Sequence, residues 1–190
     1  RAMPASPGQT LERYLVMVGD AAGNPHPQLG SQLQPRSTAG APEGQVIHAG
    51  WTPVGALRRP QYSFVGTTPD HFSARVAPQL VGMGLLEAIM ESDIEALADP
   101  DDADGDGISG RMRLVTDVET SELRVGRFGW KGSQPSVRLQ VAAALNGDMG
   151  VMSSVMPDPD CGSAQSNCGS SGAEIPDTEL EQLDAYVSLL

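Results

Sequence analysis

The residues with the clearest capacity for chemistry lie in one loop, Asp99-Pro100-Asp101-Asp102-Ala103-Asp104-Gly105-Asp106-Gly107-Ile108-Ser109-Gly110. Alternating carboxylates at Asp102, Asp104 and Asp106 can converge on one hard cation, because the small residues between them let the backbone wrap around it. Gly107 permits the tight turn that follows. Five Asp side chains between 99 and 106 repel one another strongly unless a cation neutralises them. The loop therefore predicts a calcium site built from Asp99, Asp102, Asp104, Asp106 and Ile108. Counting from Asp102, the twelfth position is Arg113 and not the bidentate Glu of an EF-hand. Further oxygens must then come from backbone carbonyls, water, or carboxylates such as Asp99 and Asp117. The competing reading is a solvated acidic turn.

The second pair of reactive side chains is Cys161 and Cys168, in a Gly/Ser/Asn-rich stretch. A disulfide is the better reading, since a zinc site needs two more ligands and no Cys or His is near in sequence. Closing so small a ring contributes about 2–3 kcal/mol in the loop-entropy view. An oxidising compartment follows: periplasm, cell surface or outside the cell.

Other catalytic templates return little. There is no Gly-x-Ser-x-Gly elbow and no phosphate-binding glycine loop. Gly82-Met83-Gly84 lacks the third glycine of a dinucleotide fingerprint. His26, His48 and His71 are widely spaced and read as surface or structural histidines. No Cys-x-x-Cys-His occurs, so the chain cannot attach a c-type haem by itself.

The formal net charge of -12 argues against nucleic acid as a partner, since binding phosphates needs clustered Lys and Arg. Lys131 is the only lysine. No stretch approaches the 18 apolar residues of a membrane span. The chain starts at Arg1 and ends at Leu190 within an apolar helical pattern, which suggests a processed product or an internal piece of a longer protein.

The elements that must position these residues are short. Thr10 to Asp20 has the spacing of a helix, with Leu11, Leu15 and Val18 on one face. Ala21 to Gly44 reads as loop. Gln45 to Ala49 and Gln61 to Val65 can pair as a hairpin, with Pro60 marking an edge position. Val81 to Met90 is helical in spacing, and Ser92-Asp93-Ile94-Glu95 forms a capping-box pattern that starts a second helix ending near Ala98. A strand is expected around Arg113 to Val118. A helix from about Pro135 to Leu145 buries Val137, Val141 and Ala144, with Asn146-Gly147 as its stop. A last helix after Asp177 aligns Leu180, Leu183, Val187 and Leu190.

From about Gln28 to Leu190 the chain resembles the bacterial di-haem oxidoreductase family. The densest stretches are Arg75-Val76-Ala77-Pro78, Gly82-Met83-Gly84-Leu85-Leu86-Glu87-Ala88-Ile89, and Ala96 through the Asp-rich loop to Arg111. Gly126-Arg127-Phe128-Gly129-Trp130-Lys131, Gln140-Val141-Ala142-Ala143-Ala144 and Asn146-Gly147-Asp148-Met149-Gly150 follow in order. Cys161 and Cys168 fit the family as well. The family's Cys-x-x-Cys-His motifs would lie before and after this segment.

Trp130 to Met149 is also similar, more distantly, to the pocket stretch of bacterial di-haem cytochrome c peroxidases. Trp130 and Gln140 keep that stretch's spacing, while Asp148-Met149 falls two residues short and has Asp for Glu. The resemblance implies Trp130 as an electron bridge between haems, Gln140 as a residue that orients ligands, and Asp148 as a proton-moving acid/base. Glu87 is a second candidate acid on an apolar helix. Met83, Met149, Met152 and Met156 are possible axial thioethers, with Met149 the nearest to the motif. The plain structural readings stand beside these: a core Trp130, a polar helix position at Gln140, a cap at Asp148 and packing methionines.

The sequence thus predicts a mainly α, loop-rich single domain over residues 1–190 with a small β-hairpin, of the cytochrome c peroxidase-like central-segment type. It would hold calcium at 99–110 and a disulfide loop at 161–168. The resemblance implies haem c attached outside this chain, a small redox protein or peroxide as partner, and a periplasmic or secreted location. The alternative is a haem-free, calcium-stabilised protein-binding module.

Overall fold

The computed structural model describes residues 7–8, 15–37, 41–165 and 168–190. The chain forms two compact units. One takes in the described residues up to Ala77 together with Asp158–Ser170, and the other Pro78–Pro157 with Ser171–Leu190.

The first unit is built of strands. β1 (Leu15–Gly19) pairs antiparallel with β4 (His71–Arg75), Val16 opposite Ala74 and Val18 opposite Phe72. β2 (Gly44–Val54) and β3 (Leu57–Gly66) form a separate antiparallel hairpin, with a register shift between His48 and Gly50. Val16, Val18, Leu29, Leu33 and Val46 make the core, and Tyr62, Phe64 and Ala74 pack against it. Edge-to-face contacts of Phe72 with Phe64 (4.8 Å) and Tyr62 (5.6 Å) lie on the same side.

The Cys161–Cys168 disulfide is formed in this unit. Its loop lies along residues 27–31. Ser163 and Ala164 donate to the carbonyls of Pro27 and Gln28, and Asp160 accepts from both the amide and the hydroxyl of Ser31. Glu43 accepts from the Gln34 amide at 2.8 Å; burial pushes its carboxyl above the usual range, against the pull of that hydrogen bond.

In the second unit, α1 (Met83–Glu87) and α2 (Glu91–Ala96) precede the Asp-rich loop, and β5 (Leu114–Thr116) and β6 (Leu123–Val125) form a short hairpin after it. α3 (Val137–Met149) and α4 (Asp177–Ser188) are its two longer helices. Met83, Phe128, Val137 and Val187 form the core cluster, joined by Val141.

The mainly α expectation is overturned. Helix accounts for 21% and strand for 25%, the strands lying in three two-stranded antiparallel sheets. The physical reason is that strand pairing is decided far along the chain. Leu15 to Gly19 is a strand and not the second half of a helix, because its alternate residues Val16 and Val18 are buried against a partner that starts at His71. Leu11 and the rest of that expected helix up to residue 14 lie outside the described residues.

Several boundaries also move. The hairpin is present and longer than expected, and Pro60 sits opposite Trp51 within it. The capping box does not form: Met90 is the residue before α2 and makes no side-chain cap, so Ser92 lies inside the helix. α3 runs through Asn146-Gly147 and ends at Gly150 in the left-handed conformation (φ 66°). Leu180 and Val187 are buried on α4 as expected, whereas Leu183 and Leu190 stay partly exposed.

Candidate functional site

The Asp-rich loop begins where α2 ends and is closed at its base by a bridge between Asp99 and Gly110, with the Asp99 amide 2.9 Å from the Gly110 carbonyl. Carboxylate oxygens of Asp99, Asp102 and Asp104 lie within 4.8 Å of one another. Each also braces the turn. Asp99 accepts from the Ala103 amide at 2.8 Å, Asp102 from Gly107 at 3.1 Å and Asp104 from Asp106 at 3.1 Å. Asp102 itself adopts a left-handed φ of 53°, a conformation that Asp tolerates better than most residues. An all-oxygen cluster of this kind suits a hard cation such as calcium.

Asp106 is not one of the convergent three. Its carboxylate takes the Ile108 amide at 2.7 Å, and the Ile108 side chain is exposed. Asp117 is also engaged elsewhere. It is buried, accepts from the Glu119 and Thr120 amides, and faces Arg124 at 3.6 Å, so it braces the β5–β6 turn.

Gln140 is brought close to Gly129, the residue before Trp130. Phe128 and Gln134 bridge the loop that carries Trp130, and the Trp130 side chain is 54% exposed, so it is not a core aromatic. Gln140 lies on α3. A Cβ placed on Gly129, the neighbour of Trp130, would stand only 3.2 Å from the Gln140 Oε1 and 2.7 Å from the Ser133 Oγ. Gly129 also has φ 76°, so only glycine meets both conditions without strain.

Asp148 and Met149 are exposed on the last turn of α3. Eight residues of helix at about 1.5 Å each put Asp148 roughly 12 Å along the axis from Gln140. Among the methionines, Met83 and Met152 are buried in packing positions, while Met149 is 69% exposed. Of the histidines, His26 and His48 are buried and His71 is exposed.

Glu87 has a positioning task. Its Oε1 accepts from the Val137 amide at 2.8 Å, while the Ser136 hydroxyl accepts from Leu139 at 3.2 Å. These two acceptors satisfy free amides of the first turn of α3, and the Glu87 charge also suits the positive end of that helix. Asp184 on α4 feels the same arrangement. Burial, and then the nearby Glu87 charge, raise its carboxyl above the usual range, with Arg138 opposing.

Sequence reasoning did not single out Arg127. Its side chain is 4% exposed, and its Nη1 donates to the carbonyls of Leu86 (3.1 Å), Glu87 (2.8 Å) and Ile89. Arg127 therefore caps the C-terminal end of α1 and fixes Glu87, which in turn anchors α3 and Gln140. The available signal was a lone arginine between Val125 and Phe128 in a chain poor in cations.

No curated protein and no solved structure matches the chain at a significant level. Among family models, "Di-haem oxidoreductase, putative peroxidase" matches residues 69–170, just over half of the chain. That span covers the Asp-rich loop, Arg127, Trp130, Gln140 and the disulfide, so the chain belongs to the di-haem oxidoreductase family.

Proposed function

We propose that this chain is the central part of a periplasmic or secreted di-haem peroxidase-like oxidoreductase, and that it carries a structural calcium ion. The family match carries the reading. The residues present do not fit haem attachment: there is no Cys-x-x-Cys-His, and both cysteines are consumed in the disulfide. The haems then belong to sequence outside these 190 residues, and this chain acts as scaffold and pocket wall. The disulfide supports the oxidising compartment. Among the described residues no helix is long and apolar enough to cross a membrane.

In that enzyme, Trp130 and Gln140 are this segment's contribution to the redox site, with Asp148 and Met149 at the far end of the helix that carries Gln140. Trp130→Phe and Gln140→Ala in the haem-loaded full-length protein are expected to lower peroxide turnover about tenfold or more, about 1.4 kcal/mol of barrier. The Soret band and melting temperature should not change. Turnover within twofold of wild type in both variants removes these residues from the site.

Asp99, Asp102 and Asp104 would hold the calcium, with Asp106 and Ile108 bracing the turn beside it. At a free concentration 100-fold above its Kd, the ion stabilises the folded state by about 2.7 kcal/mol. Excess chelator is therefore expected to lower the melting temperature by about 5–10 °C, and Asp102→Asn should abolish the response. An identical melting curve with calcium and with chelator sinks the calcium claim.

A further inference from the structure

We infer that the outer half of the β2–β3 hairpin is a docking arm for an acidic segment of another protein. Every residue from Thr52 to Arg59 is exposed, on both faces of the ribbon. In an antiparallel pair, directly opposed residues share a face. Val54 opposes Leu57 and Thr52 opposes Arg59, so one face presents two aliphatic side chains beside a guanidinium. Leu57 is 75% exposed. The other face carries Pro53 opposite Arg58.

The charge of the arm reverses that of the chain. The net charge is -12, yet no Asp or Glu occurs between Glu43 and Asp70, and Arg58-Arg59 is the only pair of adjacent cations. Neither guanidinium has an ion-pair or hydrogen-bond partner among the described residues. An exposed hairpin does need charge to block edge-to-edge aggregation, and Pro60 and the arginines serve that end. Such protection does not depend on sign, however. A chain with 24 acidic and 12 basic residues that places only cations here gains attraction for carboxylates as well.

The occupant is a polypeptide rather than a polyanion or a lipid surface. Two cations cannot hold an extended phosphate array against the repulsion of an acidic chain within about one Debye length, ~10 Å. A short acidic segment meets only the arm. Arginine pairs with carboxylates in two-point fashion, and Val54 and Leu57 offer a contact for an apolar neighbour in the same segment.

The test is fluorescence anisotropy with the full chain and a labelled random copolymer of glutamate and tyrosine. Binding is expected at 50 mM salt, weakened at least tenfold by Arg58→Glu/Arg59→Glu and severalfold by Leu57→Ser. Circular dichroism should be unchanged, because all three side chains are exposed. Double-stranded DNA and phosphatidylserine vesicles should not bind. Equal affinity in the arginine variant, or binding of DNA or vesicles that the variant abolishes, overturns the inference. So does a dimer of wild type, seen by sedimentation, that the variant dissociates, since the arm is then an interface between copies.

Discussion

Arg127→Met is expected to destabilise the chain by about 3 kcal/mol, at the low end of the range for breaking a buried charged pair. The guanidinium donates to the carbonyls of Leu86, Glu87 and Ile89 together, and it also lies 3.8 Å from Glu91. Met keeps most of the apolar stem but takes that donor from the Glu87 and Ile89 carbonyls, at about 1–3 kcal/mol for each that stays dry, while Leu86 keeps the Ile89 amide at 3.4 Å. Leu86 and Ile89 lie near solvent, so water recovers part of the loss. Arg127→Lys should recover only part of the loss, because a single ammonium on a shorter reach cannot meet the three carbonyls taken by Nη1 and also face Glu91 as Nη2 does. Urea unfolding checks both variants. A Met variant within 1 kcal/mol of wild type removes Arg127 from its anchoring place.

Gly84→Ala gives a prediction whose sign separates two physical effects. Ala favours helix over Gly by about 1 kcal/mol, so propensity alone predicts stabilisation of α1. Packing predicts the opposite. A Cβ at 84 would lie 2.2 Å from the Ser188 carbonyl oxygen and 2.9 Å from its carbon, both backbone atoms of the last turn of α4. Backbone cannot rotate aside as a side chain can. α1 must therefore withdraw from α4, straining the Gly82 amide to Leu190 carbonyl hydrogen bond of 3.1 Å. Overpacking of this kind costs about 1–3 kcal/mol and should exceed the propensity gain. A lowered melting temperature is the expected outcome, and a raised one shows that α1 moves freely.

These two residues show where sequence stopped being legible. Gly82-Met83-Gly84 stood out as glycine-rich, yet its function is close helix approach, which depends on a backbone a hundred residues away. Arg127 was visible only as part of a family-like block. The hairpin was readable because β-branched and aromatic residues alternate on either side of turn residues. α4 was readable because Leu180 and Val187 recur at helical spacing within a charged sequence.

β1 was not, because Leu15 and Val18 satisfy a helical period while Val16 and Val18 satisfy a strand period. Only the distant β4 settles the choice. The same locality explains the candidate site. The acidic loop closes within twelve residues, so a carboxylate cluster was legible there, although Asp99 and not Asp106 joins Asp102 and Asp104 in it. The approach of Gln140 to Gly129 requires α3 to be placed by Glu87 and Arg127, which no short window contains.

The claim that this chain is the middle of a di-haem enzyme is tested most directly by one measurement on the protein purified from its native source: intact mass with an absorption spectrum. The expected result is a mass well above 19.9 kDa together with a c-type Soret band. A mass near 19.9 kDa with no Soret band contradicts it, and leaves a haem-free member of the family whose acidic loop and hairpin arm must carry its function.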